Sequence, residues 1–256
     1  MSTEHYIKEV LSKHLLTKDY KQLSETEVRN RMKQVKYYPK SIIHDHQGLL
    51  SKAELTYFKR NLQEWHRLPI FYGLPKVHIT PTTLTPVVSG TNSLLAFFSN
   101  WLEYKMKELL PFVQSYIKDS FTVITELKQL HIPNEPQLFS EDASSMCTNI
   151  DTILGITALT NYINLYKERL PSCIPTELFI GILTTVMENN IFSFGDTFWL
   201  QTSGTAMGIT PSACTYVMIF FWLSQKHNHS HHLPLNFALL QKIYQCYLRC
   251  MALGTT

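Results

Sequence analysis

No helix of ordinary length can run through residues 70–89. Gly73, Pro75, Pro81 and Pro86 fall within fourteen residues, and each proline removes a backbone donor and biases the residue before it away from helical geometry. The pieces between them, Ile70-Phe71-Tyr72 and Thr85-Pro86-Val87-Val88, are rich in aromatic and β-branched residues. Short extended segments joined by turns follow. The flanking pattern is different. Glu4 to Leu16 and Glu25 to Val35 place apolar residues at three-to-four spacing, and Ser51 with Glu54 three places on marks the N-cap of a helix reaching Trp65. Extended pieces embedded between helices predict an α+β chain.

The remainder keeps this alternation. Ser93 to Leu130 has helical periodicity with a break at Pro111, and His131 to Pro136 reads as a loop before the strand-like Gln137 to Ser140. Thr152 to Tyr166 and Pro175 to Glu188 read as helices. Asn190 to Gln201 reads as a hairpin turning at Gly195-Asp196, and a small-residue loop then leads to a helix-like apolar stretch, Pro211 to Leu223. After Leu223 the chain becomes His-rich, without caps or regular periodicity, and is expected to be poorly ordered; the residues that a one-base shift of its codons permits fit a shift of reading frame near Ile219 or Phe220. The division expected is a helical N-terminal region (1–69), a central α+β region (70–223) and an aberrant tail (224–256).

With 45% hydrophobic and 17% charged residues the chain can build a core, which excludes wholesale disorder. The longest nearly unbroken apolar run, Ala213 to Leu223, is too short to span a bilayer, so no membrane partner is expected. The first sixteen residues hold no apolar signal-like core, and the five cysteines contain no Cys-x-x-Cys pair, which together point to an intracellular chain with reduced thiols. Residues 1–76 carry 14 Lys and Arg against 8 Asp and Glu, whereas residues 77–196 carry 6 against 12. No Asp or Glu occurs after Asp196. The basic front is compatible with phosphate contacts.

Three short elements carry the candidate chemistry. Asp142 ends the strand-like segment and is followed by the small Ala143 and Ser144, a carboxylate that can ligate Mg²⁺ with room beside it for a triphosphate. Lys76, beside Pro75, offers a point charge to phosphate. Gly204 and Gly208, in the loop after Gln201, allow close approach of a nucleic-acid backbone.

In this order, YGLPKVH with TPVVSG (72–90), LFSEDASSMCTNID (138–151) and QTSGTAMG (201–208) resemble the reverse transcriptases of Penelope-like retroelements, over roughly residues 71–218. The resemblance implies an incomplete fingers-and-palm region, an RNA or DNA template-primer as partner, and Mg²⁺-dependent nucleotidyl transfer in the intact family. Carried over by position, Asp142 matches the first catalytic, metal-ligating aspartate and the Ala143 carbonyl an additional metal contact. Lys76 matches the fingers lysine, and Gln201, Gly204 and Gly208 match the motif that lies against template and incoming nucleotide.

The departures bear on activity. Ile79 and Thr85 stand where the family carries a basic residue and an arginine, and Cys147 stands where an aromatic floors the sugar pocket. The family's second carboxylate pair, in Tyr-x-Asp-Asp, has no counterpart within these residues; Glu141 and Asp151 are not expected to substitute. One palm aspartate cannot clamp two metals. The expectation is a reverse-transcriptase-type domain that is catalytically inactive as written. Two alternatives remain: a non-enzymatic nucleic-acid-binding remnant, and a protein-interaction module with no nucleic-acid role. His227, His229, His231 and His232 match no closed metal site. His44-Asp45-His46 reads as a polar loop, and Trp101, Tyr104, Phe112 and Tyr116 as core rather than a base-stacking platform.

Overall fold

The structure, a computed structural model, describes residues 2–64, 66–77, 80–113, 119–129, 151–169 and 175–204. Its elements in chain order are α1 (Thr3–Val10), continued by a π-helical turn (Leu11–Leu15), β1 (Tyr20–Leu23), α2 (Glu25–Asp45), α3 (Lys52–Gln63), β2 (Ile70–Lys76), β3 (Thr83–Ser89), α4 (Leu94–Leu109), α5 (Ser120–Gln129), α6 (Thr152–Tyr166), α7 (Thr176–Glu188), β4 (Ile191–Phe194) and β5 (Thr197–Gln201). This is the α+β class that the alternation of patterns predicts. Gln137 to Ser140, Pro211 to Leu223 and the tail lie outside the described residues.

Local chemistry fixes most boundaries. Ser24 and Ser51 each open a helix with a complete capping box, reciprocated by Glu27 and Glu54. Asp151 caps α6, its carboxylate accepting from Leu154 N at 2.8 Å. Pro111 sits in the short 3₁₀ turn that ends α4. Gly195, with φ of 56°, makes the left-handed turn between β4 and β5.

Two elements depart from expectation. α2 continues ten residues past Val35, through Pro39. A proline inside a helix costs about 3 kcal/mol, but Val35, Pro39 and Ile43 are all buried on one side of α2, where Val35 and Ile43 join the main core, and that apolar burial offsets the lost hydrogen bond. His44-Asp45-His46 is consequently the end of this helix and its cap rather than a loop. The second departure is β1, Tyr-Lys-Gln-Leu, too short and polar to show a strand pattern.

The five strands form one sheet in the order β1-β5-β4-β2-β3. Neighbours are antiparallel except β2 and β4, which meet in parallel at Ile70 and Ser193. One face carries Phe71, Val88, Phe192 and Trp199, and α1 with its π turn closes over it through Val10 and Leu15. On the other face Leu23, Ile191 and Leu200 pack with Val28 of α2. The larger core lies among α2, α3, α4, α6 and α7, around Phe58, Phe98, Leu102, Met106, Tyr162 and Phe179. Met32 borders both the sheet and this helical layer. Trp101 is buried in that layer and Phe112 stacks on Tyr166 at 5.0 Å, as core residues should, whereas Tyr104 is exposed; Tyr116 lies outside the described residues.

Candidate nucleic-acid interface

Strand alternation divides the β2–β3 hairpin into two unlike faces. Phe71 and Gly73 point under α1. A Cβ at Gly73 would lie 3.0 Å from Leu84 Cδ1 and 3.2 Å from Val10 Cγ2, so the helix approaches this closely because residue 73 has no side chain. Tyr6 reaches the same point and its hydroxyl accepts from Gly73 N at 2.7 Å. The Tyr-Gly-Leu-Pro-Lys segment is thereby pinned from one side. Ile70, Tyr72, Leu74 and Lys76 point the other way and are all exposed.

Lys76 ends this exposed row, opposite Thr83 in the register. Thr85 is paired with Leu74, so it lies diagonal to Lys76 on the same face, a separation of about 7–8 Å. An arginine at position 85 would therefore share a surface with Lys76. Ile79 lies outside the described residues.

Gln201 has a different setting. It ends β5 opposite Tyr20 and is buried. Its Nε2 donates to the Ser203 carbonyl at 2.8 Å, and the next residue is tied to the chain before β1 by Thr202 N donating to Asp19 O at 2.8 Å. Gly204 follows with φ of 79°, a left-handed conformation that glycine adopts without strain. Gln201 thus acts on the loop's path, folding it back on itself. Asp142, Ala143, Cys147 and Gly208 lie outside the described residues.

Lys76 and Gln201 are not brought together. Ile70, Ser193 and Phe198 are level across the sheet; Lys76 lies six residues to one side of that line and Gln201 three to the other. At about 3.3 Å per residue they are separated by on the order of 30 Å along the strands. They also face opposite sides, because Gln201 shares the parity of Trp199 whereas Lys76 shares that of Ile70.

Charge near the start of β2 is also organised. Burial lowers the His66 pKa, and the nearby Lys36 ammonium of α2 lowers it further; its ring lies 5.5 Å from that of Phe97. Arg67 Nε donates to the Thr91 carbonyl at 3.2 Å. Among the described residues the most interior ion pair is elsewhere, between Lys105 of α4 and Glu54 of α3 at 3.0 Å. Among the described residues there is no group of three or more His, Cys, Asp or Glu able to hold a metal ion, and no helix long and apolar enough to cross a membrane.

Sequence reasoning read 70–89 as extended pieces and turns and singled out Lys76; the pairing of β2 with β3 and the exposure of the row are seen only in the structure. It missed the committed, buried state of Gln201, which depends on β1, a strand with no signal of its own. Compared with family models, curated proteins and solved structures, the chain matches none.

Proposed function

We propose that this chain is a nucleic-acid-binding, reverse-transcriptase-type fingers-and-palm region of retroelement kind that does not by itself catalyse nucleotide addition. The observation that carries the reading is the β2–β3 hairpin: an aromatic and a cation, Tyr72 and Lys76, stand exposed in one row, with Thr85 beside them. Aromatic faces and cations along a groove are what a single strand needs, the first for its bases and the second for its phosphates. The order of the Lys76, Asp142 and Gln201 elements along the sequence supports the same reading.

Inactivity follows from carboxylate chemistry. Mg²⁺-dependent nucleotidyl transfer uses carboxylates to bridge two metals, and within these residues Asp142 has no partner pair after it. Asp151 is engaged as the cap of α6. Asp142, with the Ala143 carbonyl, would hold at most one Mg²⁺. Purified protein given a primed RNA template, deoxynucleotides and Mg²⁺ or Mn²⁺ is expected to bind the template-primer and extend nothing. Extension that disappears in Asp142→Ala would overturn the inactivity; absence of any template binding would overturn the reading itself.

A second reading is favoured by the apolar content of the same row. Ile70 and Leu74 are exposed at 49% and 56%, and Val77, in the turn just past the row, at 84%; apolar surface of this kind suits a protein partner. Partner capture that ignores added salt, together with no RNA retention, would select it.

A further inference from the structure

α2 presents a second charged surface. From Val28 to His44 the helix carries Arg29, Arg31, Lys33, Lys36 and Lys40 and no acidic residue. Arg29, Lys33, Lys36 and Lys40 are exposed. At about 100° per residue these four fall within an arc of about 60°, and at 1.5 Å per residue they form a straight row about 16 Å long.

This row differs from the ion-paired helix faces of the molecule. Lys13 faces Glu9, Arg60 faces Glu64 and Lys107 faces Glu103, each at helical i,i+4 spacing. Among the described residues no carboxylate lies within ion-pair distance of Arg29, Arg31, Lys33, Lys36 or Lys40. Like charges at i,i+4, here Arg29 with Lys33 and Lys36 with Lys40, oppose helix formation. An ordinary solvated face would intersperse acids. The unmatched row therefore calls for an anion from outside.

We propose that the exposed cationic row of α2, Arg29, Lys33, Lys36 and Lys40 with Tyr37 at its border, is a docking surface for single-stranded nucleic acid. Charge complementarity selects a polyanion, and a polymer bearing one phosphate per nucleotide supplies a regular row of anions in a single molecule. Tyr37 narrows the choice. It is 65% exposed, four residues after Lys33 and three before Lys40, where its ring can stack on an unpaired base. Anionic lipid fits less well, because the apolar side of α2, through Val28, Val35, Pro39 and Ile43, is already buried in the protein and has nothing to insert. Lys36 extends the positive surface toward His66, at the approach to β2. The proposal stands apart from the polymerase resemblance, since none of these residues belongs to the motifs that carry it.

The test is a fluorescence-anisotropy titration of the full chain with a labelled mixed-sequence RNA of about 15 nucleotides, near the upper site size of single-strand binding folds, over a range of salt. The triple substitution Lys33→Gln, Lys36→Gln, Lys40→Gln should lower the slope of log affinity against log salt by about 2, at ~0.7 per lost phosphate contact. The matched control Lys13→Gln, Lys59→Gln, Lys107→Gln should leave that slope in place. Tyr37→Ala should weaken binding roughly fivefold or more with the slope unchanged. In the unaltered protein, bound RNA should protect Lys33, Lys36 and Lys40 from acetylation, a readout that needs no variant. Equal slopes for the two triple variants, or no protection, would overturn the proposal. So would displacement of RNA by polyglutamate at matched charge, or binding to phosphatidylserine vesicles without binding to RNA.

Discussion

Glu54 accepts hydrogen bonds from three residues with its two oxygens. Oε2 takes Ser51 N at 2.9 Å and Ser51 Oγ at 2.7 Å, which closes the N-terminus of α3. Oε1 takes Trp101 Nε1 and Lys105 Nζ, both at 3.0 Å, which binds α3 to α4. Burial alone would raise this carboxyl; the hydrogen bonds from Ser51, then those from Lys105 and Trp101, overcome it and bring the pKa from an ordinary 4.5 down to about 2. A depressed carboxyl stabilises the fold fully above its unfolded value, and that contribution is lost as pH falls from 4.5 to about 2. In Glu54→Gln the urea midpoint should therefore lose part of its steepness across this window, with wild type and variant converging toward pH 2. Parallel curves would show that the carboxylate does not titrate with folding. Lys105 is 3% exposed, so Glu54→Ala should be the more damaging change, on the order of 3 kcal/mol, because a buried ammonium then loses its counter-charge.

The two capping boxes separate a local contribution from a tertiary one. Ser24 and Ser51 make the same pair of bonds within their helices, but the Glu27 of the first is exposed and the Glu54 of the second is tied to α4. Ser24→Ala should cost about 1 kcal/mol, the usual worth of an N-cap, and Ser51→Ala more, as judged by denaturant midpoints. The second helix was readable from its cap, Ser51 with Glu54, since a cap is a local event that local residues specify; the first was readable as far as Val35 from its apolar spacing, without its cap at Ser24. β1 and the passage of α2 through Pro39 were not, because each is decided by a distant partner: β5 for the first, the helical core for the second. The site divides along the same line. The extended character of 70–89 and Lys76 were legible from the prolines and the sequence, whereas the exposed row depends on the pairing with β3, and the engagement of Gln201 on a turn that β1 and its approach hold in place. For the hairpin, Thr85→Arg adds a cation diagonal to Lys76 on an exposed face. RNA affinity should rise and its salt dependence should steepen by close to one contact, about 0.7 in slope. An unchanged salt slope would remove this face from the binding surface.

The sheet is assembled from both ends of the described chain. β1, from the first 23 residues, pairs with β5, near residue 200, and α1 covers the aromatic face formed by Phe71, Phe192 and Trp199. The N-terminal region therefore supplies more than helices, and the central strands depend on it for cover. Val10 and Leu15 are fully buried there, each worth roughly 1.5–3 kcal/mol by transfer, and Tyr6 closes the Gly73 donor from the same segment. Domains of this size have only about 5–15 kcal/mol to lose. Removing residues 1–23 should consequently abolish cooperative unfolding of the remainder, not merely lower its midpoint. The shortened chain would expose Phe71, Phe192 and Trp199 together with the open backbone edge of β5, a combination that favours association between copies. Sedimentation and dye binding to exposed apolar surface should report this directly. A truncated chain that stays monomeric, binds no dye and melts in one sharp transition would show that residues 24–256 hold their own core, and that α1 and β1 are an addition to the fold rather than part of it.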